Sequence, residues 1–186
     1  LIGGASVSLQ VSLGVILLAG SVGITIALLS GFIGGKVDAV LMMVTDIFMS
    51  MPYLLIAMVL AAVLGPSKNN IILILALLGW AGYARILRSE VLRLKDQDFV
   101  KLAEVAGCSK FRIMTREILP NIVNTLIIMA TLQVGTVIIA ESSISFLGLG
   151  VPPPEPAWGS MVADGRDFLT SSWWICLWPG LAILFT

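Results

Sequence analysis

The chain has 186 residues, 58% of them apolar and only 12% charged, with 11 basic residues balancing 11 acidic ones and no histidine. Soluble domains carry about 25% charged residues, so a water-soluble globule is excluded and a lipid bilayer is the expected solvent for most of the chain. Histidine acid–base chemistry, a glycine-rich phosphate loop with its lysine and a zinc-binding helix motif are all absent, and Cys108 and Cys176 lack metal-ligand or redox spacing. Ser142, Ser143 and Ser145 follow Glu141, but no base of the right type lies near them in sequence. The chain is therefore expected to be no enzyme and to hold no cofactor and no metal.

In chain order, residues 11–33 form the first clear apolar run, long enough for the roughly 30 Å hydrocarbon layer; the ten residues before it are less apolar and read as an interfacial lead-in. Ala19, Gly23, Ala27, Gly31 and Gly35 repeat every four residues. Such a small-residue stripe lets another helix approach closely in lipid, either within the chain or at a subunit interface. A tight turn, Gly34 to Asp38, leads to a second run from about Ala39 to Leu64, longer than a crossing needs at ~1.5 Å per residue. Pro52 is its expected kink, because proline removes a backbone hydrogen bond. Asp46 lies about two turns inside this run; an ionisable residue at depth faces a cavity or a partner by default, and otherwise it is a carboxylate that reaches water near the headgroups.

A turn at Gly65 to Asn70 precedes a third run beginning over Ile71–Ala84, where Trp80 and Tyr83 read as interfacial aromatics. A fourth runs from Ile122 to about Ala140, carries Asn124 and Gln133 and ends at Glu141. The proline-rich segment of about 142–172 is too polar to cross, and a fifth run starts near Trp173. The pattern predicts an all-α, polytopic transmembrane helical bundle with five spans in a single domain over 1–186. The first residue is Leu1 and the last, Thr186, lies inside an apolar run, as expected of an excerpt from a longer protein.

Between the third and fourth runs lies the one long charged stretch. Eight of the eleven basic residues fall between Arg85 and Arg116, interspersed with Glu90, Asp96, Asp98, Glu104 and Glu117. Phe99, Leu102, Ala103 and Ala106 share one helical face by their spacing. Asp96 is placed to cap that helix and Asp98 to sit in its first turn; Gly107 supplies the stop. Ser109 can cap a second short helix carrying Phe111, Ile113, Met114 and Ile118; Pro120 closes it and opens the apolar run that follows. The expected local structure is helix, glycine elbow, helix: a hydrophilic knob. The excess of Lys and Arg places this loop in the cytoplasm; counting spans then puts Lys36 inside, and the Lys68 turn and the 142–172 segment outside.

The stretch KLAEVAGCSKFRIMTREILPN resembles the cytoplasmic loop signature of ATP-binding-cassette importer permeases: Glu-Ala-Ala, three residues, Gly, nine residues, Ile, one residue, Leu-Pro. Ala103 matches the second Ala, Gly107 the Gly, and Leu119-Pro120 the closing pair; Lys101 and Leu102 replace the Glu and first Ala, and Glu117 stands at the Ile. AESSISFLGLGVPPPEPAWGSMVADGRDFL is similar to the corresponding stretch of dipeptide, oligopeptide and nickel permeases of the second permease-subunit type, as are GWAGYARILRSEVL and TDIFMSMPYLLIA.

The resemblance implies a type I importer permease fold in the cell inner membrane, with the family's first span and last turns outside this stretch. It further implies a second permease subunit, two ABC ATPase subunits and an extracytoplasmic substrate-binding protein as partners besides the lipid bilayer, and no nucleic acid. The segment of about 95–120 would couple to the ATPase through Lys101, Ala103, Glu104, Gly107, Ser109, Leu119 and Pro120. Asp46, Pro52, Gln133 and Glu141 stand as candidates for the pathway or the bundle interior. The 142–172 segment would contact the binding protein or cap the pathway, or act only as a structural loop. A self-sufficient channel or ion-coupled carrier is the alternative, weakened by the near absence of charged relays at depth. A structural scaffold is weaker still. Orientation is directly testable: with Cys108 and Cys176 replaced by serine, Ser67→Cys and Glu155→Cys should react from outside intact cells with a membrane-impermeant thiol reagent. Lys110→Cys should not, and its labelling would overturn this orientation.

Overall fold

Nothing between residues 2 and 33 forces a helix to end, and none does. In the computed structural model, which describes residues 1–186 and contains helices but no strand, α1 covers Ile2–Leu28 and continues as a π turn over Leu29–Ile33. The lead-in expected before residue 11 is thus part of the helix. Gly3 and Gly4, unhelpful to helix propensity, are tolerated because other chain lies on them: a Cβ would fall 2.9 Å from Pro156 Cγ and 2.6 Å from Trp158 Cδ1. The Trp158 indole N–H donates to the Leu1 carbonyl at 3.1 Å.

Helix α2 (Gly35–Ser50) follows a turn in which Gly34 and Gly35 both take positive φ. The second apolar run is broken outright: Met51 and Pro52 are extended, and α3 restarts at Tyr53 and ends at Leu64. A residue before proline is pushed out of the helical region, so the expected kink becomes a stop and a restart. Helix α4 runs unbroken over Lys68–Lys95. The third run therefore carries Arg85, Arg88 and Arg93 as helix, not as loop, because changing solvent from lipid to water does not end a helix that contains no breaker. Arg93 and Lys95 in its last turn suit the negative end of the helix dipole.

Then come α5 (Asp98–Val105), α6 (Lys110–Ile113) and a π turn at Met114–Ile118 that runs directly into α7, Leu119–Phe146. Pro120 does not close the second short helix as expected; the helix passes through it. Proline's ring collides with the carbonyl four residues back, and the wider π turn just before it relieves that clash. Helix α7 also outlasts its expected end near Ala140 and stops at Phe146, where Gly148 (φ 77°) donates to the Ser145 carbonyl and Leu149 to that of Ile144. The polar segment beyond it contains α8 (Trp158–Gly165) and a 3₁₀ turn at Arg166–Phe168, followed by α9, Trp174–Leu184.

Three helices are long and apolar enough to cross a membrane: Ile2–Ile33, Lys68–Lys95 and Lys110–Phe146. Helices α2 and α3 make a fourth crossing only if the broken pair is one span, and α9 has 11 residues. The five spans read from hydropathy thus become three or four. At ~1.5 Å per residue α9 is too short for a roughly 30 Å layer.

The chain divides into two compact units, to both of which α1, α4 and α7 contribute. One comprises Leu1–Leu18, Pro52–Leu78 and Thr131–Thr186; Val11, Val15, Leu75, Ile138 and Ile144 are among its buried residues. The other comprises Ala19–Met51 and Gly79–Ala130. Here the small-residue stripe works as intramolecular packing: Ala19, Gly23, Ala27 and Gly31 are buried, while Gly35 serves the turn. A Cβ on Gly23 would fall onto Tyr83 Cβ and lie 3.0 Å from the Trp80 carbonyl oxygen; one on Gly31 would meet Val91 Cγ1 at 2.7 Å. Trp80 and Tyr83 are accordingly core residues, not interfacial anchors, and Trp80 stacks edge-on against Phe48 at 5.2 Å. Gly23→Ala should therefore overpack this contact and destabilise the chain by about 1–3 kcal/mol. Gly20→Ala, whose Cβ would meet only Leu126 at 3.9 Å, should not. The thermal midpoints of the two purified variants check this contrast.

Candidate functional site

The knob expected in the charged stretch is built by α5, an elbow at Gly107 and α6. Gln97, not Asp96, is the N-cap of α5, and it makes no side-chain capping bond; Asp98 does occupy the first turn. At the other end the elbow is fully specified by hydrogen bonds. Gly107 has φ 78°, its N–H donates to the Glu104 carbonyl at 3.0 Å, and the Cys108 N–H donates to the Ala103 carbonyl at 3.0 Å. This paired arrangement satisfies carbonyls that a helix end leaves open. Ser109 then caps α6, its hydroxyl accepting from the Arg112 N–H at 3.4 Å. The structure thus brings Ala103, Glu104, Gly107 and Ser109 into one tight corner.

Only part of the knob's apolar content is used to hold it down. Val100, Ile113 and Ile118 are buried. Phe99, Leu102 and Ala106 are exposed and Ala103 is half-buried, so the face read from the spacing looks outward. Leu102 is 68% exposed, Val105 87% and Phe111 72%. Lys101, Glu104, Lys110 and Arg112, their neighbours along the chain, are all exposed. Val105 lies off the i, i+3, i+4 pattern and Phe111 shares its short helix with buried Ile113, so spacing marks neither; their signal in the sequence is an apolar side chain in a hydrophilic stretch. Leu119 is half-buried and Pro120 exposed where the chain leaves the knob for α7.

The remaining candidates are dispersed. Asp46 is exposed on α2 and ion-paired with Arg85 of α4, in the unit that also holds the bidentate Asp38–Arg88 pair at 2.5 Å. In the other unit, Pro52 opens α3 and lines an open apolar groove of ≈ 600 Å³ with Tyr53, Leu54, Thr136 and Ile139; Gln133 is half-buried one turn before Thr136. Glu141 is fully buried. Its carboxyl group accepts from the hydroxyls of Ser145 at 2.7 Å, Ser8 at 3.1 Å and Ser142 at 3.5 Å, and none of the ion pairs includes it. Ser8 went unnoticed in the sequence because its segment read as a lead-in. No group of His, Cys, Asp or Glu side chains could hold a metal ion.

Known proteins with similar sequences are transport permeases by name. The chain is 38% identical, over 98% of its length, to the probable D,D-dipeptide transport system permease protein of Escherichia coli (strain K12), of which it covers 61%. It is 41% identical over 97% of its length to a putative peptide transport system permease protein of Brucella suis, and 35% identical over 98% to the oligopeptide transport system permease protein of Bacillus subtilis, covering 60% of each. The chain thus spans about three fifths of the length of these relatives. Residues 23–186 match the family described as "Binding-protein-dependent transport system inner membrane component". The match over most of its length, on a frame of long apolar helices, means that this chain belongs to that family of inner membrane transport components.

Proposed function

We propose that this chain forms the membrane-spanning part of one permease subunit in an ATP-driven importer of di- or oligopeptides. The observation that carries the reading is the knob: a hydrogen-bonded elbow presents Leu102, Val105 and Phe111 to water with nothing of this chain over them. Apolar side chains held exposed on a short charged, water-facing segment suit a protein contact. Two ATPase subunits are its proposed partners, one seated on this knob and one on the knob of a second permease subunit. ATP binding closes the ATPase pair, and the rigid elbow passes that movement to α4 and α7, between which it is strung.

The lipid-spanning helices support the pairing of two permeases. In the Lys110–Phe146 helix only 17% of the most apolar window is buried within the chain, against 56% for Lys68–Lys95. The exposed remainder is available to lipid and to a second subunit. An extracytoplasmic binding protein delivers cargo to the segment beyond α7. Peptide is the proposed cargo because the relatives carry peptide transport in their names; nickel or another metal chelate is the second class the sequence resemblance implies. Ligand titration of the binding protein separates the two. Each ligand shifts the transporter only by its differential affinity for the outward- and inward-open forms.

Two substitutions test the knob. Ala103→Glu adds a charge beside the exposed apolar residues, and Gly107→Val forces a β-branched residue into positive φ at about 1–3 kcal/mol of strain. Neither touches a lipid-facing span, so the amount of permease in the membrane should stay at the parental level. ATPase subunits should be lost on purification, or uptake should fall by roughly tenfold or more, the factor that corresponds to about 1.4 kcal/mol of docking energy. If both variants keep the ATPase and transport at the parental rate, the knob is only a connection.

A further inference from the structure

We propose that Glu141 is a positioning residue: through Ser145 it fixes the segment Leu147–Gly165 against the ends of α1 and α7. The chain of contacts lies within one compact unit. The Ser145 hydroxyl donates its only proton to Glu141 Oε1 at 2.7 Å, and its oxygen accepts from the Val151 backbone N–H at 3.4 Å. A hydroxyl has one proton and two lone pairs, so committing the proton to the carboxyl group turns the lone pairs toward the loop. Glu141 Oε2 meanwhile accepts from Ser8 of α1 at 3.1 Å. One buried side chain thereby ties the first helix, the end of α7 and the loop backbone.

Two glycines let the loop settle on this cluster. A Cβ on Gly150 would fall onto the Ser145 side chain, and one on Gly159, in the first turn of α8, onto the Ser142 carbonyl. Gly150, Val151 and Gly159 are buried as a result. With hydroxyl partners on both oxygens and no cation, the carboxyl group serves here as a double acceptor. Glutamine is a poor replacement, since its amide offers one acceptor oxygen and its NH₂ would compete with Val151 for the Ser145 oxygen.

The test is hydrogen–deuterium exchange on the full-length protein in lipid nanodiscs. Glu141→Ala and Ser145→Ala should each speed exchange of peptides within 147–157 by about tenfold, the scale expected when a local hydrogen bond is lost, while α4 peptides over 71–94 exchange as in the parent. Glu141→Gln should fall between. Ser143→Ala should behave as the parent, because its hydroxyl bonds only the Ile139 carbonyl of its own helix at 2.7 Å. Parental exchange over 147–157 in Glu141→Ala overturns the proposal even if Ser145→Ala speeds it, and so does an equal rise in α4, which would signal general loss of fold. If Glu141→Ala does not accumulate, Glu141→Gln decides by the same two criteria. Because exchange is read without ATPase or cargo, failure here is distinct from failure of the importer reading.

Discussion

An unpaired backbone N–H or C=O in hydrocarbon costs several kcal/mol, which keeps the apolar runs of this chain helical, and at several helix ends and interruptions a polar side chain takes the open backbone carbonyls. Where α3 ends, the Asn70 side-chain amide donates to the Leu64 and Gly65 carbonyls at 2.9 and 3.1 Å. Where α1 runs out into its π turn, Lys95 Nζ donates to the Phe32 carbonyl at 2.7 Å, with the ammonium also 5.5 Å from the Phe32 ring centroid. Around Pro120, which has no N–H to give, a π turn widens the helix and the Asn121 amide takes the Glu117 carbonyl at 2.6 Å. The apolar residues choose the solvent; these few polar side chains close the backbone where helices end or are interrupted.

The carboxylates meet the same constraint in two ways. Asp38 and Asp46 on α2 are answered by Arg88 and Arg85, spaced three residues apart on one side of α4. A guanidinium fork matches a carboxylate in two parallel bonds, so the Asp38 pair fixes geometry as well as charge. Glu141 has hydroxyls instead. Buried polar groups of this kind are costly when incompletely bonded and specific when complete. The acid that sits deepest is therefore also the one whose surroundings admit least variation.

Much of the knob was legible in the sequence because its signals are local. Gly107 needs left-handed backbone and Ser109 an acceptor at a helix start, and both requirements show in single residues. Asp96 failed as a cap because the turn after Lys95 placed Gln97 at the helix boundary, a matter of one residue that periodicity does not resolve. The helix boundaries at residues 2, 95 and 146 were missed for a shared reason: hydropathy reports where the solvent changes, and a helix crosses that border when no breaker stands there. Trp80 and Tyr83 look interfacial by local pattern, but their burial involves the close approach at Gly23, some sixty residues earlier in the chain. The Ser8–Glu141 bond joins residues 133 apart, and no local pattern announces it.

The exposed tips of the knob bear on how such a subunit is made. Until covered, Leu102, Val105 and Phe111 are adhesive in water, and the backbone bonds of the elbow keep them displayed instead of letting them fold away. In the proposed importer, a copy without its ATPase is thus chemically distinguishable from one that carries it, and chaperones or proteases that recognise exposed apolar side chains have a handle on it. On the proposed docking, the same three residues make surplus copies short-lived, and the surface itself enforces subunit balance after synthesis.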